Sequence, residues 1–238
     1  MTAIPLKRVV QLPAFCGPAT VCMLLSQHGV DVSQEEIAQK GNALDRVLIH
    51  GMRLDELALA VRSVAPELRL WAKRNATLQE MEHLIETYKL PVGVEWHDDL
   101  TEDDEILTED EDPGHYSVIL SVDPEKKELL MRDPSSLWKD NDRLLTFEEF
   151  EKRWFDTNDV VADAPEEAKA WMDDYHVMYV IAPRTMQFPP DIGLKKVRVP
   201  AYLLPTTQQP KPDPIQENAS IEQKMPDLVP LFVKNSLA

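Results

Sequence analysis

The segment from Gln11 to Thr20 places a cysteine at a predicted helix start. Pro18 suits the first turn of a helix, where its missing N–H costs nothing. Apolar residues then recur at helical spacing, at Val21, Leu24 and Leu25. Cys16 is therefore predicted to lie just before or at the N-cap of a buried helix. Unpaired N–H groups and the helix dipole favour the reactive thiolate there, so Cys16 is a candidate nucleophile. Gln11, five residues upstream, could donate its side-chain amide to an oxyanion, together with the backbone N–H of Cys16.

A nucleophilic cysteine needs a base and a group that orients the base, and one predicted hairpin supplies both. Residues 114–120 have the composition of a strand, with His115 at its start. Residues 129–133 form the predicted partner strand, which ends in Asp133, and the linking residues 123–127 are typical of a turn. His115 and Asp133 should then be neighbours at the open end of an antiparallel hairpin. Cys, His and Asp, with a Gln before the Cys, are the groups of acyl transfer by a thiol.

Three of these segments carry a family resemblance. The Gln…Cys-Gly-Pro-Ala, Gly-His-Tyr-Ser-Val and Arg-Asp-Pro motifs resemble the bacteriocin-processing (double-glycine leader) cysteine peptidases, a papain-like family. The resemblance covers about residues 5–183. It implies that Cys16 is the nucleophile, His115 the general base, Asp133 its orienting partner and Gln11 the oxyanion donor. Gln11 lies one residue closer to the cysteine than in the family pattern. With no transporter segment attached, the chain is most similar to stand-alone peptidase-like relatives.

Composition limits the classes of partner. The chain has 238 residues and a formal charge of -17, so its surface should repel nucleic acid and anionic membranes, and neither is a predicted partner. Its two cysteines do not make a disulfide framework, and Cys22 is predicted to be a core residue. No signal-peptide pattern and no run of about 18 apolar residues is present, so we expect a reduced, cytoplasmic protein. No Cys/His cluster has metal-ligand spacing, so neither a metal nor another cofactor is predicted.

The remaining pattern predicts an α+β domain in which N-terminal helices carrying the cysteine pack against an antiparallel sheet carrying the His and Asp. The resemblance implies that this domain is papain-like. Capping boxes predict helix starts after Ser33, Thr77 and Thr146. Residues 42–51 are predicted to be a loop, and residues 175–182 the last core strand. The dense carboxylates of residues 98–112 predict an exposed loop. His50 and His97 are interpreted as loop residues near the cleft, without a catalytic role.

Two units are predicted along the chain. Residues 1–183 form the peptidase-like domain, and residues 184–238 are a proline-rich C-terminal extension, partly disordered or docked on the domain. A short strand is possible within residues 194–204. The extension is also where a protein partner could bind.

The leading functional hypothesis is a cysteine peptidase that hydrolyses a peptide bond through a Cys-His-Asp triad and a thioester intermediate. Its substrate would be a peptide or protein. A transamidase, deamidase or isopeptidase would use the same side chains and is the first alternative. The second alternative is a catalytically silent interaction module on a peptidase fold.

Overall fold

The computed structural model describes residues 3–97, 114–157 and 173–204. Its helices are α1 (Cys16–Ser26), α2 (Gln34–Lys40), α3 (Val47–His50), α4 (Leu54–Val64), α5 (Leu78–Tyr88) and α6 (Phe147–Arg153). Its strands are β1 (Leu68–Lys73), β2 (Val92–His97), β3 (Gly114–Asp123), β4 (Glu128–Arg132), β5 (Arg143–Thr146), β6 (Phe155–Thr157), β7 (Asp173–Tyr175), β8 (Met178–Pro183) and β9 (Lys195–Lys196). Short 3-10 turns lie at Ser136–Trp138 and Ala201–Leu203.

Seven of these strands form one antiparallel sheet in the order β5-β4-β3-β2-β8-β1-β9. The hairpin β3–β4 is the one expected from the sequence, and Val118 pairs with Arg132 next to its open end. Strands β6 and β7 form a separate two-stranded ribbon. Strand β8 lies between β2 and β1 and pairs with both, so it joins these two earlier strands in one sheet.

Apolar cores fill both faces of the sheet. On one face, α1, α2 and α4 pack over side chains such as Leu70, Val118 and Tyr179. On the other face, α5 and α6 pack over side chains such as Val94 and Met131. Alternating residues of each strand face opposite sides, so a sheet between two helical layers can bury both sets. The predicted α+β class is confirmed: helices that include the one carrying Cys16 pack against an antiparallel sheet.

The predicted helix starts are confirmed by their caps. The Ser33 hydroxyl accepts a hydrogen bond from the Glu36 N–H at 3.1 Å. Thr77 and Thr146 begin complete capping boxes, in which a glutamate three residues on accepts from the backbone N–H of the threonine. These local bonds satisfy N–H groups that a helix start leaves without partners, which is why the sequence signal was reliable.

Several local predictions are wrong. Residues 42–51 are not all loop, because the buried Val47 begins the one-turn helix α3. The single strand predicted at 175–182 is two strands: β7 ends at Tyr175, His176 has a positive φ of 48°, and β8 begins at Met178. Strand β5 was not predicted. The predicted acidic loop at 98–112 lies outside the described residues.

The chain beyond residue 183 continues along the domain as far as the structure describes it. Strand β9 pairs with β1, with Trp71 opposite Lys196. Ile192, Leu194 and Leu203 bury their side chains. The division of the chain at residue 183 stays a prediction, and residues 205–238 lie outside the described residues.

Candidate active site

Cys16 is the first residue of α1 and is half-buried. A turn delivers the chain to it: the Phe15 N–H donates to the Leu12 carbonyl at 2.9 Å, and Ala14 has a positive φ of 62°. Proline at the second position and a positive φ at the third are the pattern of a type II turn, and Pro13 fills the proline position. Phe15 is the N-cap, so Cys16 lies one residue inside the helix. The predicted position, just before or at the N-cap, is therefore wrong by one residue.

Close packing of α1 on β3 brings this cysteine to the sheet. A Cβ at Gly17 would lie 3.3 Å from the side chains of both Leu57 and Tyr116, so the absence of a side chain there permits the approach. The buried Thr20 hydroxyl donates to the Tyr116 carbonyl at 3.1 Å. Gly17 and Thr20 lie within five residues of Cys16, and Tyr116 is the neighbour of His115. The two contacts therefore fix the distance between α1 and β3 next to the candidate site.

His115, the second residue of β3, is the centre of the site and is 8% exposed. Its Nε2 lies 2.9 Å from the Asp133 Oδ1, and the Cys16 side chain lies against the same ring. Because Nε2 faces Asp133, Nδ1 is the ring nitrogen left for the sulfur. Burial acts to lower the pKa of His115, but the contacts with Asp133 and Cys16 outweigh it and raise the pKa to about 10.

Asp133 directly follows β4 and is almost fully buried. Its Oδ1 accepts from the Ser135 N–H at 2.8 Å, and its Oδ2 accepts from the Arg143 guanidinium at 2.8 Å. Burial acts to raise the pKa of Asp133, but the bonds from His115, Ser135 and Arg143 outweigh it and lower the pKa below its usual value. The carboxylate is therefore held ionised and in one orientation against the imidazole.

Arg143 is the one member of this network that sequence reasoning missed. It begins β5, is 9% exposed, and lies between two indole rings, with its guanidinium carbon 4.8 Å from the Trp96 ring centre and 4.7 Å from that of Trp138. Stacked indoles and a carboxylate suit the planar guanidinium. No sequence pattern near Arg143 indicates this role. Arg143 is ten residues from Asp133 in the chain, and the pairing of β5 with β4 brings the two residues together.

Gln11 lies beside the segment that follows Asp133. Its backbone N–H donates to the Pro134 carbonyl at 2.8 Å, and the residue is half-buried. Its side-chain oxygen Oε1 is buried and accepts no hydrogen bond from the described residues. This backbone hydrogen bond joins the residue before the Leu12–Phe15 turn to the segment that follows Asp133. It therefore holds the chain that leads to Cys16 beside the chain that leaves β4.

The sequence also predicts the environments of Cys22 and His97. Cys22, on the same helix, is 5% exposed, and burial raises the pKa of its thiol to about 12, so it is a core residue as predicted. His97 is not a loop residue: it ends β2, is fully buried, stacks on Phe155, and has its Nε2 3.9 Å from the Asp156 carboxylate.

The sequence model of the Peptidase_C39 like family matches residues 3–161, which is most of the chain and includes every residue of this network. The chain belongs to this family. Membership confirms the resemblance to double-glycine, bacteriocin-processing peptidases and supports a peptidase function. No curated protein sequence matches the chain.

Three solved structures are similar to the chain. The peptidase domain of Streptococcus ComA, a bi-functional ABC transporter involved in quorum sensing, superposes with a TM-score of 0.50 at 16% identity, over 76% of this chain and 99% of that one. A double-glycine-motif protease from an AMS/PCAT transporter in complex with its leader peptide gives 0.48 at 16% identity, over 76% and 94%. A C39-like peptidase from Bacillus anthracis gives 0.47 at 16% identity, over 76% and 96%. The first of these places the chain on the fold of the family's peptidase domains.

Within the described ranges, no group of three or more His, Cys, Asp or Glu side chains is arranged to hold a metal ion. No helix in the same ranges is long and apolar enough to cross a bilayer.

Proposed function

We propose that the chain is a cysteine peptidase that hydrolyses a peptide bond through a thioester on Cys16. The observation that supports this most is the position of His115, whose imidazole contacts Cys16 on one side and the ionised Asp133 on the other. A nucleophile, a base and a group that orients the base, in that order, are the requirement for acyl transfer by a thiol.

In the proposed reaction the Cys16 sulfur attacks the carbonyl carbon of the substrate. The raised pKa of His115 favours a protonated imidazole at neutral pH, which supplies the proton that the departing amine needs when the C–N bond breaks. Water then attacks the thioester, His115 accepts its proton, and the carboxylic acid leaves as the thiolate re-forms. Asp133 keeps the imidazole in one tautomer and orientation throughout.

The oxyanion formed in both steps needs hydrogen-bond donors. We assign this role to the backbone N–H of Cys16, at the start of α1, and to the side-chain amide of Gln11. The buried Gln11 Oε1 supports the assignment, because an amide with its oxygen turned inward presents its NH₂ group to the opposite side. The substrate class is a peptide or protein, in keeping with the family.

The test is a search for new peptide ends. A proteome-derived peptide mixture is incubated with the protein in oxygen-18 water, and new termini are identified by mass spectrometry. Hydrolysis should place the heavy oxygen in new C-termini with the wild type and the Cys22→Ala control, but not with Cys16→Ala. Acyl transfer to an added amine instead of water would indicate a transamidase. Unchanged peptides with all three proteins would contradict an active enzyme and favour the silent interaction module.

A further inference from the structure

A cavity of about 530 Å³ lies at the β9 end of the sheet, and basic side chains surround it. Five of the chain's 25 basic residues line this cavity, although the whole chain carries a formal charge of -17: Lys73, Arg74, Lys195, Lys196 and Arg198. Its volume lies within the usual range of about 300–1,000 Å³ for ligand pockets. We call it the β9 cavity.

The β9 cavity has an apolar wall beneath its charged rim, formed by Ala72, Val177, Val197 and Pro200. Gly193 also lines it, with a φ of +72°. A Cβ at Gly193 would lie 3.5 Å from the Lys73 side chain, in van der Waals contact. A ligand that fits this lining carries negative charge at its surface and apolar groups between its charges.

Two of the basic side chains are available to such a ligand. Lys195 and Arg198 are exposed and form no ion pair with any described residue. Lys73 is different, since it is paired with Glu80, and the Lys196 ammonium lies 4.9 Å from the centre of the Trp71 ring. From residue 192 to residue 204 the sequence has three basic side chains and no acidic one, so the positive charge of this segment is not neutralised locally.

The β9 cavity and the candidate active site lie toward the same end of the strands. His115 pairs with Trp96 on β2, Val94 of β2 pairs with Met178 of β8, and Met178 pairs with Lys73 of β1. Lys73 is therefore three strands and about two residues away from His115. Lys195 pairs with Ala72 and so lies one strand and about one residue further away. With strands about 4.8 Å apart and about 3.4 Å per residue, Lys195 is about 22 Å from His115, or six to seven residues of extended peptide.

We propose that the β9 cavity binds an acidic segment of the peptide substrate, about six to seven residues from the bond that is cleaved. This assignment of substrate class rests on the proposed function. Carboxylates of the bound segment would pair with Lys195 and Arg198, and its apolar side chains would contact the wall formed by Val177 and Val197. The negative charge elsewhere on the chain would disfavour binding of the same segment at other places.

Lysines also occur on edge strands for another reason, since a charged edge discourages pairing with a second chain. Strand β9 is such an edge, because the sheet order ends there. That role needs neither a concave surface nor Arg198, which lies beyond the strand. The two explanations differ in what they predict when the charges are reversed. The proposed site predicts weaker peptide binding, whereas edge protection predicts unchanged peptide binding, because glutamate also places a charge on the edge.

The experiment measures binding by fluorescence anisotropy, using a fluorescein-labelled ten-residue peptide of alternating glutamate and valine. It uses the full chain with Cys16→Ala, so that catalysis plays no part. The test variant adds Lys195→Glu and Arg198→Glu. The matched control adds Lys40→Glu and Arg62→Glu, one exposed lysine and one exposed arginine with the same change in net charge. Thermal melts establish that both variants fold.

The proposal predicts that the test variant binds at least about tenfold more weakly, because two attractions become repulsions, while the control changes less than about twofold. Raising the salt concentration should also weaken binding. No binding, or equal loss in both variants, would overturn the proposal. Unchanged binding by the test variant would overturn the proposal and leave edge protection as the role of these charges. If inorganic phosphate alone binds with the same dependence on Lys195 and the peptide does not, the cavity is a phosphate site and the proposal is wrong.

Cleavage is measured separately, so the two proposals can fail independently. Peptide binding with no cleavage by the wild-type chain would contradict the proposed function only. Cleavage of neutral peptides without binding of the acidic peptide would contradict the β9 cavity assignment only.

Discussion

Replacing Arg143 by methionine should destabilise the protein strongly, because it removes one of the two cationic groups that bond to the buried Asp133 carboxylate. The lost hydrogen bond between charged groups accounts for about 1.5–3 kcal/mol. Its two indole contacts, with Trp96 and Trp138, add about 0.5–1 kcal/mol each. The sum agrees with the cost of about 3–5 kcal/mol for breaking a buried ion pair by removing one partner. Such a loss is a large share of a typical total stability of about 5–15 kcal/mol.

The assay is equilibrium unfolding in urea at pH 7, with Arg62→Met as the matched control. Arg62 is exposed, so its replacement should change the free energy of unfolding by no more than about 0.5 kcal/mol. The Asp133→Asn single variant and the double variant complete a cycle, whose coupling energy should be at least about 1.5 kcal/mol. If Arg143→Met costs no more than Arg62→Met, or if the cycle is additive, the reasoning about this ion pair is refuted.

Three further results are expected. Gln11→Ala should lower kcat for peptide hydrolysis by about 100-fold, as loss of one oxyanion donor does, while alkylation of Cys16, which forms no oxyanion, keeps its rate. Gly93→Ala should lower the thermal midpoint, because the new Cβ would overlap the Tyr179 ring; an unchanged midpoint would contradict this packing. Because the pKa of His115 is raised, its protonated form stabilises the fold; this stabilisation is complete below pH 6.5 and is lost as the pH rises through about 10. The urea midpoint of the wild type should therefore fall more between pH 7 and 10 than that of His115→Asn.

The parts of the fold that could be predicted have signals within a few residues. The Cys-Gly-Pro start and the apolar spacing of α1, the threonine and serine caps, and the turn between β3 and β4 each depend on neighbours in the chain. The positions of Cys16, His115 and Asp133 could be predicted for the same reason, since each lies at or next to the end of such an element. The structure brings them together, and their catalytic roles stay predictions until activity is measured.

The parts that could not be predicted depend on long-range packing. Arg143 reaches Asp133 only because β5 pairs with β4, and its four-residue strand is too short for its alternation to be recognised. Helix α3 is a single turn, too short for a 3.6-residue period to show. The break at His176 is a single left-handed residue inside an apolar run, which composition alone does not reveal. The basic side chains of the β9 cavity come from β1, β9 and the residues just after each of them, two segments that are more than 100 residues apart.

The central claim is that His115 activates Cys16, and the alkylation rate of each cysteine tests it most directly. The protein is treated with iodoacetamide at pH 6, and the modification of Cys16 and Cys22 is followed by mass spectrometry in the same molecules. We expect Cys16 to react rapidly, His115→Ala to slow it at least about tenfold, and Cys22, whose pKa burial raises to about 12, to remain unmodified. A Cys16 that is as inert as Cys22, or whose rate does not change in His115→Ala, would contradict the account.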